Sequence, residues 1–159
     1  MMARFRVLRL VCLDLALALM TALNVSQSPS AHAHPSYCDG YNPEYDMPNT
    51  PYTRLERPLY GGGGTLQVRF TDGVPGVPWC SWGRIFGAQE GAYVWMDRTH
   101  NRGATWEGPL YTKRLGRGYT QGYTLTVSLG TRDVPNTMVR TCGSAGKDRP
   151  ITCTAWVGR

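Results

Sequence analysis

The sequence lacks the patterns that mark several common protein classes. No stretch keeps apolar residues at the 3.6-residue period of an amphipathic helix, so a helical fold is not expected. No Lys/Arg run marks a nucleic-acid patch, and the basic residues are scattered although the formal net charge is +6 at pH 7. No segment repeats, which excludes a β-propeller, whose blades are repeats. We therefore expect no nucleic-acid partner and a single domain.

Signatures of catalysis and metal binding are also scarce. There is no Gly-x-Ser-x-Gly elbow and no C-x-x-C pair, and the chain has only three His. We expect no metal and no cofactor. Weak candidates for acid–base chemistry are Glu90, Glu107 and His100, and the two glutamates would be neighbours if they faced each other across a hairpin. The alternative, which we favour, is that Asp97 and Arg98 form a cross-strand ion pair and His100 is a solvated turn residue.

The N-terminal 33 residues have the order of a secretory signal peptide. Three arginines precede the apolar run Leu10–Leu23, and a polar stretch then ends in Ala31-His32-Ala33. The run is too short for a comfortable membrane span, and no later run is longer. Residues 1–33 are therefore predicted to be removed, which leaves a secreted, extracellular protein without a membrane segment. We expect this protein to be a monomer.

Four cysteines remain after such cleavage: Cys38, Cys80, Cys142 and Cys153. An even number in an exported chain predicts two disulfides, with three possible connectivities. A bridge between Cys142 and Cys153 would close a short terminal loop, and Cys38 with Cys80 would then tie the N-terminal segment to the body.

The mature sequence divides into an irregular part and a β part. Residues 34–64, rich in Pro and Tyr and ending in four glycines, are predicted to form an irregular arm and linker. Residues 65–159 are predicted to form an all-β domain, either an antiparallel β-sandwich or a small open barrel. Its predicted strands cover residues 65–70, 79–86, 93–98, 109–115, 121–129, 137–142 and 151–157.

Alternation within two of these strands predicts which side chains are buried. Leu66, Val68 and Phe70 should face the core. Gln121–Leu129 alternates most cleanly, with four apolar residues on one face against Thr and Ser on the other; these four are Tyr123, Leu125, Val127 and Leu129.

A turn motif lies at the centre of the chain. Thr99-x-Asn101-x-Gly103-x-Thr105-Trp106 matches the Asp-box of sialidase-type propellers, S/T-x-D/N-x-G-x-T-W, with Asn in place of the usual Asp. The Asn side chain can bond amides ahead of it, Gly supplies a positive φ, and the Trp106 ring is expected to fold over the turn. The motif predicts a hairpin and names no reaction.

Residues around this motif resemble a known group of secreted bacterial domains. The shared pattern is V-W-x-D-R-S/T-x-x-G-x-T-W-x-G, then R-x-C-G and C-T-x-W, and the resemblance covers roughly residues 65–157. The matching residues are Val94, Trp95, Asp97, Arg98, Thr99, Gly103, Thr105, Trp106, Gly108, Arg140, Cys142, Gly143, Cys153, Thr154 and Trp156. Similar segments accompany α-1,6-mannanase-type glycoside hydrolases, so the resemblance implies a disulfide-bearing domain accessory to polysaccharide chemistry. It transfers no active site, because the catalytic part of such hydrolases is a separate domain.

Aromatic residues are the candidate ligand contacts. The chain has five Trp and nine Tyr, and aromatic faces stack on sugar rings. Tyr93 and Trp95 share one face of their strand, and Tyr41 and Tyr45 lie in the arm, where surface contact is easy. The sequence thus predicts a secreted, non-catalytic β domain that binds or accompanies extracellular or cell-wall polysaccharide. The alternatives are a small secreted hydrolase of glycans or RNA, and a disulfide-stapled protein-binding or inhibitor module.

Overall fold

Nine strands form within the part of the chain that the structure describes. This structure is a computed structural model, and it describes residues 38–46, 51–71, 79–130 and 136–158. The expected signal peptide lies outside these residues, and the described residues belong to one compact unit. The strands are β1 Tyr52–Pro58, β2 Thr65–Thr71, β3 Cys80–Phe86, β4 Tyr93–Thr99, β5 Glu107–Arg114, β6 Gln121–Tyr123, β7 Val127–Ser128, β8 Met138–Ser144 and β9 Thr152–Cys153.

The strands make two antiparallel sheets. Sheet I has the order β1-β2-β3-β6, and β7 also pairs with β3. Sheet II has the order β5-β4-β8-β9. Neither sheet closes into a barrel, and strands β2 and β3 pack against β4 and β8. The all-β, sandwich-like prediction is therefore confirmed, and the described residues contain no helix.

The core lies between the sheets and follows the alternation of the strands. Leu66, Val68 and Phe70 of β2 are buried as predicted, opposite Val94 and Met96 of β4. Each such side chain stabilises the fold by about 1.5–3 kcal/mol through removal of apolar surface from water. Because these residues point inward, their neighbours along each strand point to the outer faces, where ligands have access.

Close approach of the sheets depends on small and β-branched residues. A Cβ placed on Gly83 of β3 would lie 2.8 Å from Thr141 Cγ2 of β8. Thr141 Oγ1 donates a hydrogen bond to the backbone oxygen of Gln67 in β2, at 3.0 Å. This bond crosses the core and fixes the two sheets relative to each other.

The prediction that residues 34–64 are irregular is wrong for residues 52–58. Strand β1 lies inside the segment 34–64 that was expected to be irregular, and it pairs with β2 from Tyr52↔Phe70 to Pro58↔Thr65. Tyr52 also stacks on Phe70, with ring centroids 6.1 Å apart. The proline spacing rules out a helix there, but an edge strand tolerates proline because one of its sides needs no amide donors.

The prediction of one continuous strand over Gln121–Leu129 is also wrong. The segment divides into β6 and β7, and residues 124–126 belong to neither strand. Leu125 is 39% exposed, whereas Thr124 and Thr126, which alternation places on the other face, are buried. The apolar alternation therefore misidentifies the inward face in the middle of this segment.

Hydrogen bonds of the two threonines explain this reversal. Thr124 Oγ1 accepts from the backbone amide of Gly83 at 3.0 Å, so a side chain satisfies a strand donor. The backbone of Thr126 pairs with the arm. Its carbonyl oxygen accepts from the Gly40 amide and its amide donates to the Tyr41 carbonyl oxygen, both at 2.9 Å. A distant segment thus replaces the sheet partner that a regular strand would need.

Two disulfides stabilise the fold. They connect Cys38 to Cys80 and Cys142 to Cys153. The first holds the arm against β3, and the second joins β8 to β9, where the two cysteines are register partners. This is one of the three connectivities that the sequence allows, and such bridges are consistent with an extracellular protein. Within the described ranges, no helix is present that could cross a lipid bilayer.

Candidate functional site

The turn after β4 is organised by two polar side chains. Thr99 Oγ1 accepts from the Gly103 amide at 2.9 Å and donates to the Thr105 backbone oxygen at 2.6 Å. Asn101 Oδ1 accepts from the Thr105 amide at 2.9 Å, and its Nδ2 donates to Thr105 Oγ1 at 2.8 Å. These bonds form within the turn itself and let the chain reverse into β5.

The tryptophan that covers this turn is not the one expected. A Cβ on Gly103 would lie 2.7 Å from Trp156 Nε1, so the Trp156 ring sits directly on the turn. Trp106, which was expected to fold over it, is 57% exposed. The physical reason is that Val157 bridges to Val139 of β8, which brings the preceding Trp156 beside β4 and its turn. Trp106 is thereby left facing outward.

Arg140 of β8 joins the two tryptophans. Its guanidinium lies 5.1 Å from the Trp106 ring centroid and 4.5 Å from the Trp156 centroid. The same group binds Asp97 of β4, its register partner, with Nε and Nη2 2.9 and 2.8 Å from Oδ2. Asp97 is only 4% exposed, and a buried charge needs a partner. Arg140 supplies that partner.

Arg98 pairs separately on the other face of β4. It binds Glu107 of β5 and donates to both oxygens of Asp39 in the arm, at 2.9 and 2.7 Å. Burial by itself lowers the pKa of Arg98, but hydrogen bonds to Glu107 and Asp39 more than offset this effect and raise that pKa. The expected pair of Asp97 with Arg98 is therefore wrong, because adjacent strand residues point to opposite faces.

An aromatic groove runs across the outer face of sheet II. Tyr93 and Trp95 of β4 lie on this face, half-buried, as alternation predicts. The groove has a volume of about 600 Å³. Its lining consists mainly of apolar and aromatic groups; the lining residues are Tyr93, Trp95, Asp97, Trp106, Gly108, Pro109, Thr112, Arg140, Cys142, Ser144, Gly146, Lys147, Arg149, Ile151 and Cys153.

The groove has distinct parts. The Cys142–Cys153 disulfide belongs to its lining beside Trp95, since Trp95 and Cys142 are register partners. Trp106 stands beside the Asp97–Arg140 pair, and exposed Lys147 and Arg149 come from the loop between β8 and β9. This arrangement joins flat apolar surfaces to a few charged groups, as small-ligand sites do.

The arm tyrosines lie elsewhere. Tyr41 and Tyr45 are 50% and 83% exposed, but neither lines the groove. Tyr60 is also exposed, and Tyr52 belongs to β1. The four candidate ligand contacts thus divide into Tyr93 and Trp95 in the groove and two arm residues outside it.

The three acid–base candidates do not form one cluster. Glu90 lies just before the start of β4, whereas Glu107 pairs with Arg98 near the end of β4. The two glutamates are therefore not neighbours across the hairpin. His100 Nε2 is 3.5 Å from Glu107 Oε1, and its Nδ1 is 3.1 Å from Thr137 Oγ1. A glycosidase needs two carboxyl groups about 5–9.5 Å apart across the bond that it cleaves. Asp97 is the single carboxylate lining the groove among the described residues.

One cluster has the composition of a metal site but not its chemistry. The side-chain ligand atoms of Asp97, Cys142 and Cys153 all lie within 4.8 Å of one another. Both sulfurs belong to the disulfide, however, and a thiolate rather than a disulfide sulfur is the metal ligand.

Of the fifteen residues that line the groove, sequence reasoning identified only Tyr93 and Trp95 as ligand contacts. Arg140, Cys142 and Ser144 alternate along β8 and therefore share its outer face, a spacing that the sequence already displays. The placement of Trp106 and Trp156 had no comparable local signal, because it depends on which strands become neighbours.

Comparison with known proteins found no protein-family model, curated protein or solved structure that matches the chain. The site is therefore interpreted from its own geometry.

Proposed function

We propose that the protein is a secreted, non-catalytic domain that binds extracellular or cell-wall polysaccharide in the groove of sheet II. The observation on which this rests is the aromatic lining, with Tyr93, Trp95 and Trp106 on one continuous recess. A sugar ring has apolar C–H faces, and these stack on aromatic rings while its hydroxyls stay hydrogen-bonded at the edges.

The size and polarity of the groove fit this ligand class. Its volume of about 600 Å³ falls inside the range of about 300–1,000 Å³ usual for small-ligand sites. Thr112, Lys147 and Arg149 supply side-chain donors along the lining, where sugar hydroxyls would be placed. The site therefore suits a short stretch of sugar units.

Binding without cleavage is the better supported activity. Asp97 is held by Arg140 and buried, so it lacks the freedom of a general acid or nucleophile, and no second carboxylate from the described residues lines the groove. The inhibitor alternative has weaker support, because the loop between Cys142 and Cys153 contributes a wall of the groove.

Secretion and the Asp-box assignment belong to the same proposal. The charged, apolar and small-residue order of residues 1–33 and the two disulfides support export. The Thr99 and Asn101 bonds within the turn support an Asp-box-type hairpin.

Replacement of Trp106 by Ala tests the proposal most directly, since this side chain is exposed and its loss should leave the fold intact. We expect the purified protein from residue 34 onward to be retained on at least one glycan of a panel. The panel consists of α-1,6-mannan, arabinan, xylan, cellulose, chitin and peptidoglycan. For that glycan, Trp106→Ala should bind at least tenfold more weakly by titration calorimetry, about 1.4 kcal/mol. Trp106→Phe should restore part of the affinity.

Tyr119→Ala is the matched control, because Tyr119 is 67% exposed and lies outside the groove. It should bind as the parent protein does. Absence of retention on every glycan of the panel, or equal losses in Trp106→Ala and Tyr119→Ala, would contradict the proposal.

A further inference from the structure

Two arginines lie side by side on the outer face of sheet I, on the opposite side of the sandwich from the groove. Arg69 of β2 and Arg84 of β3 both donate through Nη1 to the same atom, Gln67 Oε1, at 3.5 and 3.3 Å. Gln67 is 6% exposed, and its amide nitrogen donates to Glu56 of β1. One buried amide group thus holds both guanidinium groups close together.

The other acceptors of this pair are neutral. Arg69 donates to Thr53 Oγ1 and to the Pro51 backbone oxygen, both at 3.1 Å, and Arg84 donates to Gln121 Oε1 at 2.7 Å. In the described part of the chain, neither arginine has a carboxylate within ion-pair distance, whereas Arg98 and Arg140 both do.

The pair is consequently a concentration of positive charge that no direct ion pair neutralises, although the charge of nearby Glu56 partly offsets it. Burial, and then the charge of Arg84, lower the pKa of Arg69 below its ordinary value. The Nε atoms of both arginines are buried and have no hydrogen-bond partner. Two like charges so close, and partly removed from water, repel each other, and an anion between them would remove that cost.

The surroundings hold the pair rigidly and leave space beside it. The Arg84 guanidinium lies 5.2 Å from the Phe86 ring centroid and 5.6 Å from that of Tyr123, which fixes its plane. A recess of about 340 Å³ opens next to the pair and is lined by Pro43, Glu44, Pro51, Arg69, Trp82, Arg84 and Tyr123. A ligand would therefore meet preorganised donors, so little of its binding energy is spent on ordering the site.

We propose that Arg69 and Arg84 form a binding site for an oxoanion: a carboxylate, sulfate or phosphate group, either as a free ion or attached to an acidic polysaccharide. Guanidinium groups are suited to this task because their planar donor forks match such anions. Glu44 lines the same recess and opposes an anion by its charge, so it limits affinity. The site is separate from the groove and does not depend on the function proposed for it.

Calorimetric titration with sodium sulfate, against sodium chloride at equal ionic strength, tests this proposal. We expect saturable binding of sulfate, at least tenfold weaker in Arg84→Gln and in Arg69→Gln, and tighter in Glu44→Gln. Arg117→Gln makes the same charge change at an exposed loop residue outside the recess, and should leave the affinity unchanged. Trp106→Ala should also leave it unchanged, which separates this site from the groove.

Two further titrations distinguish the sources of the anion. If a galacturonic acid disaccharide binds more tightly than sulfate, and the neutral galactose disaccharide does not bind, the ligand is an acidic sugar chain. If sulfate alone binds and requires Arg84, the site takes free ions. Sulfate also stabilises proteins by exclusion from their surfaces, so any melting-temperature shift must be compared with that of Arg84→Gln. Equal sulfate affinities in the parent protein, Arg84→Gln and Arg117→Gln would overturn the proposal.

Discussion

At the scale of single residues, Arg140 connects more of the candidate site than any residue predicted from the sequence to contact a ligand. It compensates the buried Asp97 and stacks on Trp106, which lines the groove, and on Trp156, which covers the turn. A cation on an aromatic face contributes about 0.5–2 kcal/mol, and loss of one partner from a buried ion pair typically costs about 3–5 kcal/mol. The groove wall and the turn therefore depend on the same guanidinium group.

Gly103→Ala should lower the free energy of unfolding by more than the cost of placing alanine in a left-handed backbone conformation. Gly103 has φ +92°, and a Cβ there would lie 2.7 Å from Trp156 Nε1. We expect the free energy of unfolding to fall by about 2–4 kcal/mol in urea denaturation, since left-handed backbone costs about 1–2 kcal/mol and the Trp156 ring must also move.

Gly62→Ala is the matched control for this substitution. Gly62 has φ +81°, and no atom lies within 4 Å of a Cβ built on it, so only the backbone cost remains. The expected loss is about 1–2 kcal/mol. Equal losses in the two variants would show that Trp156 does not press on the turn.

The turn illustrates what sequence can predict at this scale. Thr99, Asn101 and Gly103 are separated by fixed short spacings, and their bonds form within the same few residues, so the motif was sufficient to predict the hairpin. The ring that covers the turn belongs to Trp156, far along the chain. No local pattern distinguishes it from Trp106, because the choice depends on how the strands pair.

At the scale of elements, the arm acts as part of sheet I. Cys38 is bonded to Cys80 in β3, Gly40 and Tyr41 exchange backbone hydrogen bonds with Thr126, and Asp39 accepts from Arg98. The segment is thus bonded covalently to β3, contacts the residue before β7 through backbone hydrogen bonds, and contacts the end of β4 through an ion pair. This docking is the reason that alternation failed over Gln121–Leu129, whereas it succeeded for β2, whose partners are regular strands.

Asp39→Asn should weaken this docking. The side chains of Asp39 and Arg98 are only 15% and 13% exposed, so their interaction is poorly screened by water. We expect a loss of about 1.5–3 kcal/mol in the free energy of unfolding, the range for hydrogen bonds to charged groups.

Glu107→Gln changes the other carboxylate on the same Arg98 and serves as the control. The Glu107 side chain is 44% exposed, so solvent screens the pair, and the expected loss is no more than about 1 kcal/mol. If Glu107→Gln proves the more damaging variant, the arm is not held through Asp39.

At the scale of the whole molecule, the sequence was sufficient to predict the fold class but not most of the residues that line the groove. Short alternating segments between turns predict a β-sandwich, and four cysteines predict two bridges. The groove, in contrast, is assembled from β4, β5, β8, β9 and two loops. Which outer-face residues of separate strands become neighbours is decided by sheet order, and sequence patterns do not specify that order.

The two disulfides should have separable effects. In a chain-entropy description, the Cys38–Cys80 bridge, with a separation of 42, contributes about 4 kcal/mol and the Cys142–Cys153 bridge, with a separation of 11, about 3 kcal/mol. We expect thermal denaturation to show the larger loss for the double variant Cys38→Ala/Cys80→Ala.

Glycan retention should respond in the opposite order. The Cys142–Cys153 bridge lines the groove, so Cys142→Ala/Cys153→Ala should weaken binding, and Cys38→Ala/Cys80→Ala should bind normally below its melting temperature. If only Cys38→Ala/Cys80→Ala loses glycan retention, the binding surface lies outside the groove.

The two proposed binding sites lie on opposite outer faces of the sandwich. The groove is on sheet II and the Arg69–Arg84 pair is on sheet I, with the core between them. A straight polymer strand seated in one site cannot also reach the other, so two occupied sites would not strengthen the hold on a single strand. If the ligand of the arginine pair is an acidic sugar chain, each molecule would instead be a junction between two strands.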